Sequence, residues 1–290
     1  MSDALDTLHE RIDALHAHPA GEPLPGHARQ VVEELLDALQ AGRVRSAERR
    51  DDGTWVAVPW VKRGILVAFR AGRIVPVAGP CAPEAPREHG SFFDKDTLPL
   101  RHFVAADMVR VVPGGSAVRR GAYVAPGVVC MPPMYVNVGS WVGSGTMIDS
   151  HALVGSCAQI GERVHLSAAA QVGGVLEPIN AAPVVIEDDV IVGGNAGVYE
   201  GTVVRRRAVL GAGVVLTRGT PVYDLVNQNV IRGGADRPLE IPEGAVVVGG
   251  ARAVSSRWGR EQGISLYTPV IVKYRDEKTD LATALEGWLR

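Results

Sequence analysis

Between Val118 and Leu216 the apolar positions recur every six residues. Stepping by six from Val118 gives Val124, Cys130, Val136, Val142, Ile148, Val154, Ile160, Leu166 and Val172. All but Cys130 are aliphatic, and a free Cys is itself a small buriable hydrophobe. The next step falls on Pro178; after eight more residues the frame resumes at Ile186 and runs through Val192, Val198, Val204, Leu210 and Leu216. An amphipathic helix repeats every 3.6 residues and a half-buried strand every two, so neither holds a six-residue frame for so long. The pattern predicts a parallel β-helix, in which each short rung buries one aliphatic and the coils stack on one another. Three hexads make one coil in such a fold, so Val136, Val154 and Val172 should form a ladder. Gly143, Gly155, Gly161, Gly173, Gly193 and Gly211 directly follow the frame residue, where the chain turns a corner and a residue without Cβ is cheapest. Ser116, Ala122, Ser140, Ala152, Ala158 and Ala170 stand two places before it and suit the cramped interior.

Outside this frame the periods are shorter. Residues 3–18 and 28–41 read as two helices; Val31, Val32, Leu35, Leu36 and Leu39 form the apolar stripe of the second, and Gly42 its C-terminal stop. WVAVPWV and GILVAFR are strand-like, with Lys62–Gly64 as a turn between them. Residues 75–100 carry Pro and Gly without a period and read as a connector. The break at 173–185 has to leave the stack as a loop, and a loop rooted in a rigid scaffold is a common place for binding residues. Beyond Leu216 the expectations are a polar excursion at NQNVIRGGADRPLEIPEG, a last coil at AVVVGGARAV, a terminal strand at SLYTPVIVKY and a covering helix over Lys278–Leu289. The division expected is an N-terminal α+β part with its connector (1–105), the β-helix (106–222) and a C-terminal strand-helix cap (223–290).

Composition narrows the function classes. The 290 residues carry a net charge of −2, which leaves no footprint for nucleic acid or for an anionic membrane surface. No apolar run reaches spanning length and the first residues have no signal-peptide core, so a soluble cytoplasmic protein is expected. Three scattered cysteines, Cys81, Cys130 and Cys157, fit neither a disulfide framework nor a structural zinc site. Cys130 falls on the inward frame. Cys157 reads as a small, half-buried residue in preference to a nucleophile, because the repeat places no His beside it.

Charged residues at the corners of a Gly- and Ala-rich stack are the candidates for chemistry. Asp149 follows frame residue Ile148 and is flanked by Ser150 and His151; it is either a turn-forming Asp or a fixed, exposed acid available for proton transfer. Glu177 lies in the excursion loop and Glu200 on the second half of the stack; each is a solvated acid or a site acid. His165 precedes Leu166 and so points outward, as a structural His or a base titrating near neutrality. Arg110 precedes the stack. Arg205–Arg206–Arg207 reads as a solvated patch that could also meet phosphates. There is no strand-borne GxGxxG, no P-loop and no HExxH. Acyl transfer from a thioester remains, with a base at the amine and backbone amides at the thioester oxygen. A non-enzymatic β-helix scaffold and a zinc-dependent γ-type carbonic anhydrase are the rivals, although His102, His151 and His165 do not converge at hexad spacings.

Several blocks carry a resemblance: GTMIDSHALVGSCAQIG, VHLSAAAQVGGVLEP, VIEDDVIVGG with VYEG, SLYTPVIVK, and WVKRGILVAFR and FFDK near the N-terminus. Together they resemble the tetrahydrodipicolinate N-succinyltransferases of the lysine and diaminopimelate pathway, over most of the chain. The resemblance implies a left-handed β-helix and a homotrimer with active sites between neighbouring prisms. It also implies succinyl-CoA as co-substrate (acetyl-CoA being the alternative), no permanently bound cofactor and no metal. By the same resemblance Arg110 binds a substrate carboxylate, Asp149 serves the acceptor amine, and Asn137 and Glu177 line the site. Glu200 is the second candidate acid, and Gly211, Ala212 and Gly213 line the CoA arm. Two blocks depart from the family pattern: Gly197 stands where many members have an acid, and Ala168–Ala169 where they have Gly–Gly.

Overall fold

The computed structural model describes residues 2–77, 92–234 and 237–275. From Arg110 to Leu216, apart from the loop after Val172, the chain winds as a left-handed parallel β-helix of two-residue rungs on three faces. Within a coil the chain visits a first face (Val118), a second (Val124) and a third (Cys130). Partners across coils lie 18 residues apart, as in the Val136, Val154 and Val172 ladder. Every frame residue is buried, and so is the residue two places before it, such as Ala122, Ala152, Ala158 and Ala170, except Ser116 at the open end of the stack, which is half-buried. The prism therefore encloses two inward side chains per hexad. The first rung, Arg110–Val111, pairs with Val129–Cys130 nineteen residues later, so Arg110 belongs to the stack and does not merely precede it.

The corners divide the work between two positions. Three residues after the frame the backbone turns through positive φ, at Gly121, Gly139, His151, Cys157, Ala169 and Gly213 among others. The glycines directly after the frame are required for a different reason than a corner conformation: close approach of successive coils. A Cβ on Gly155 would lie 2.1 Å from the Gly174 backbone N, and one on Gly143 would lie 2.6 Å from the Gly161 carbonyl.

The N-terminal part packs three helices into a second core. Helix α1 (Ser2–His16) and α2 (Ala28–Gln40) match the expected segments, and α2 buries Val31, Val32, Leu35, Leu36 and Leu39. It ends at Gly42 (φ +70°), with Arg43 N donating to Ala38 O, a Schellman closure. The expected hairpin over 55–70 is not formed. Strand β1 (Ala47–Arg49) pairs instead with β2 (Trp55–Ala57), and Pro59–Ala71 is helix α3. Pro59 sits in its first turn, where a missing N–H costs nothing, and Val61, Ile65 and Ala68 repeat at helical spacing. Gly64 lets α3 close on α2, since a Cβ there would meet Leu35 at 2.3 Å. Within the expected connector, β3 (Ile74–Val77) and β4 (Phe92–Lys95) form an antiparallel pair.

Past Leu216 the polar excursion is more ordered than its composition predicts. Asn229–Ile231 pairs with Val222–Asp224, and Glu240–Ile241 returns to the second face beside Val203–Val204. The segment expected as a last coil is one only at its start. Val246–Val247 pairs with Val209–Leu210, but the strand continues to Ala253 as an antiparallel hairpin with Ser265–Tyr274. The expected helix over Lys278–Leu289 and Cys81 lie outside the described residues.

Candidate active site on the edges of the prism

Three edges join the faces, and they hold different chemistry. The third-to-first edge carries Asp149. Its Oδ1 accepts from Ser150 N at 3.2 Å, and its Oδ2 lies 3.6 Å from Nε2 of His165, one coil further on. Met147 and His165 are cross-strand partners, which fixes this neighbourhood. Arg110 stands on the same outward row of the third face, two rungs from Met147, and is exposed. At about 4.8 Å per rung, its Cα lies roughly 10 Å from that of Met147.

Ser167, Gly193 and Gly211 are stacked above Asp149 on this edge, each donating its backbone N–H to the next coil. Gly211, Ala212 and Gly213 thus share the Asp149 edge, about 14 Å along it. The intervening surface is made of small residues, Ala168, Ala169 and Gly194. The backbone N–H groups of Ala168, Gly194 and Ala212 donate to no acceptor among the described residues.

Asn137, Glu177 and Glu200 lie on another edge, first-to-second, and the chain does not bring them to Asp149. Asn137 is committed locally: its Oδ1 accepts from Val138 N at 2.8 Å and from the Tyr135 hydroxyl at 3.4 Å. Glu177 and Glu200 line one cavity of about 600 Å³ with Tyr199, Thr217 and Arg218. Glu200 Oε2 accepts from Arg218 N at 3.1 Å. The excursion loop forming this cavity is tied to the N-terminal part by the fully buried Lys62, whose Nζ donates to Ala181 O at 2.5 Å. Burial pulls the Lys62 pKa down.

Gly197 faces outward on the first face, and the ring of Tyr199 lies over it; a Cβ at Gly197 would come 2.5 Å from that ring. Tyr199 therefore fills the space into which a side chain at 197 would project. The pairing of His165 with Asp149 and the places of Tyr199 and Arg218 in the Glu177–Glu200 cavity were missed from sequence. A signal existed in the eighteen-residue step, which takes Met147 to His165 and Glu200 to Arg218.

Other candidates resolve into structure. Arg205 is not a solvated residue: it bridges Glu187 at 2.9 Å and Glu240 at 2.8 Å, and donates to Gly53 O at 2.8 Å. Arg206 pairs with Glu243 at 3.3 Å. Burial pushes the Cys130 thiol up to about 12 and the Cys157 thiol up to about 11, so neither is a nucleophile at neutral pH. Among the described residues no group of three His, Cys, Asp or Glu could hold a metal ion, and no helix is long and apolar enough to cross a membrane.

Comparison with known proteins places this architecture. Residues 3–71 match the tetrahydrodipicolinate N-succinyltransferase N-terminal model, and residues 183–218 match the hexapeptide repeat of succinyl-transferase. The chain is 39% identical over 294 residues to the 2,3,4,5-tetrahydropyridine-2,6-dicarboxylate N-succinyltransferase of Polynucleobacter asymbioticus, covering 100% of both chains. The chain belongs to the tetrahydrodipicolinate N-succinyltransferase family. A second member, from Paramagnetospirillum magneticum, is 39% identical over 296 residues, covering 100% of this chain and 98% of its own. Among solved structures, a 2,3,4,5-tetrahydropyridine-2-carboxylate N-succinyltransferase of Campylobacter jejuni shares the fold, with a TM-score of 0.52 at 16% identity. That match covers 88% of this chain and 64% of the other. Membership of the family makes the chain an acyltransferase.

Proposed function

We propose that the chain transfers a succinyl group from succinyl-CoA to the amine of ring-opened tetrahydrodipicolinate, in lysine and diaminopimelate biosynthesis. The observation that carries this reading is the third-to-first edge: a fixed carboxylate, Asp149, below a run of small residues with unengaged backbone N–H groups. It is supported by full-length identity to relatives named for that reaction.

The cyclic imine hydrates and opens to a 2-amino-6-oxo-dicarboxylate. Arg110, on the third face beside the edge that carries Asp149, holds one carboxylate through its guanidinium fork. Asp149, with His165 beside it, orients the amine and takes its proton directly or through water. The amine nitrogen attacks the thioester carbonyl, and free N–H groups of the edge stabilise the oxyanion. As the oxyanion collapses the C–S bond breaks, the amide forms, and CoA leaves as a thiol carrying a proton. No covalent enzyme intermediate is needed; positioning supplies much of the rate. The donor arm runs along Gly211, Ala212 and Gly213.

Asn137, Glu177 and Glu200 enter this site only from a second copy. In a homotrimer the first-to-second edge of one prism would face the Asp149 edge of its neighbour, completing the site at the seam. A cytoplasmic location goes with this reading.

The test is CoA release by purified protein with tetrahydrodipicolinate and either succinyl-CoA or acetyl-CoA. Faster turnover with acetyl-CoA overturns the donor. No turnover with either, together with no thermal shift on adding CoA, overturns the enzyme in favour of a scaffold.

A further inference from the structure

A cavity of about 380 Å³ lies on the second face, between the β1–β2 hairpin and the stack, away from the edge that carries Asp149. Trp55, Tyr123 and Trp141 line it beside Arg45, Arg49 and Arg206. Tyr123 and Trp141 stack at 3.9 Å between ring centroids, and the Arg45 guanidinium lies 4.0 Å over the Trp141 ring and 5.4 Å from that of Trp55. Arg45 donates through Nε to Gln159 Oε1 at 3.0 Å. Its two terminal nitrogens have no partner among the described residues. Burial pulls its pKa down to about 10, against the attraction of Glu48, Tyr123 and Asp188.

Asp188 lines the same cavity. One carboxylate oxygen, Oδ1, accepts from Glu162 N at 2.8 Å, and the other has no partner among the described residues. The other acids lining the cavity are engaged: Glu187 accepts from Trp55, Arg205 and the Arg206 backbone, and Glu162 pairs with Arg163 at 2.7 Å. Arg45 and Asp188 thus attract each other across the cavity yet form no ion pair within 4.0 Å. The Arg45 fork and one Asp188 oxygen make no direct hydrogen bond among the described residues, and the space between two unlike charges that do not touch suits a molecule that carries both.

We propose that this cavity binds a free amino acid as its zwitterion, the carboxylate on the Arg45 fork, the ammonium on Asp188 and the side chain against Trp141 and Tyr123. The volume is in the range of small-molecule sites, and the aromatic walls bury the apolar part of the ligand. The site lies on a face remote from the proposed acyl-transfer edge, so it does not depend on that reading.

Trp55 and Trp141 report occupancy by fluorescence. The full chain is titrated with glycine, L-lysine, L-glutamate and L-phenylalanine, and with acetate and methylamine, each of which carries one of the two charges. The expected result is saturable binding of at least one amino acid with a Kd below about 10 mM, at least tenfold tighter than acetate or methylamine. Arg45→Gln and Asp188→Asn should each weaken it at least tenfold, while Asp149→Asn leaves it unchanged. If Arg45→Gln does not fold, Asp188→Asn alone decides. Binding of no amino acid in that range, equal binding of a single-charge control, retained affinity in Asp188→Asn, or loss of affinity in Asp149→Asn overturns the proposal.

Discussion

The imidazole of His165 stands over the carboxylate of Asp149, 3.6 Å away on the adjacent coil, because Leu166 and Ile148 are cross-strand partners. The stack holds both groups without help from a loop. Asp149→Asn keeps the shape and removes the proton acceptor, so turnover with succinyl-CoA should fall by about 10²–10⁴-fold with little change in melting temperature. His165→Gln should reduce turnover less, because the imidazole only flanks the carboxylate. Steady-state rates with succinyl-CoA measure both. Near-wild-type activity of Asp149→Asn removes the acid from the mechanism.

Close approach of the coils at the post-frame glycines makes a second prediction. In Gly155→Ala the new methyl would sit 2.1 Å from the Gly174 backbone, and backbone cannot swing aside as a side chain does. A loss of about 1–3 kcal/mol is expected in urea unfolding. Gly213→Ala meets nothing within 4 Å and carries only the strain of its positive φ, so its loss should be smaller.

Glu187 ties the hairpin of the N-terminal part to the stack through Trp55 and Arg205, at 3.0 and 2.9 Å. Burial alone would raise its pKa. Hydrogen bonds from Trp55, Arg205 and the Arg206 N–H, with the Arg205 charge, outweigh burial and hold it below the ordinary 4.5. A depressed carboxylate contributes stability that is present above its unfolded pKa and is lost as pH falls through the folded value. Glu187→Gln should therefore cost about 1–3 kcal/mol at pH 7, and the gap to wild type should shrink as pH drops below 4.5. Denaturant titrations at several pH values give the comparison.

The two interior thiols should be silent in the native state. With pKa values of about 12 and about 11, Cys130 and Cys157 are almost wholly protonated at pH 8, and both are buried. Iodoacetamide followed by peptide mapping should label them only after unfolding. Rapid labelling of Cys157 in the folded chain would show that its corner opens.

The stack was legible because each hexad repeats one packing decision, so the frame from Val118 to Leu216 could be counted off directly and every member is buried. Residues 55–70 were misread because their apolar density hides the period: Val61, Ile65 and Ala68 mark a helix, but Trp60, Val67 and Phe69 fill the gaps between them. Pro59 was the deciding residue. On the site, spacing could say that Asp149 and His165 point outward; only the register of the third face says that they meet. The charge of Arg205 likewise suggested solvent, whereas its fork is held by Glu187 and Glu240, residues distant in sequence.

The excursion after Val172 leaves and rejoins the prism without disturbing its pitch: Ile160 and Ile186 are direct partners although the loop intervenes. Insertions there do not have to come in multiples of a coil. The mouth that holds Glu177 can thus change length and sequence from one descendant to another while the rungs beneath keep their alignment. One inherited spiral can be refitted for different acyl acceptors by editing a single bend.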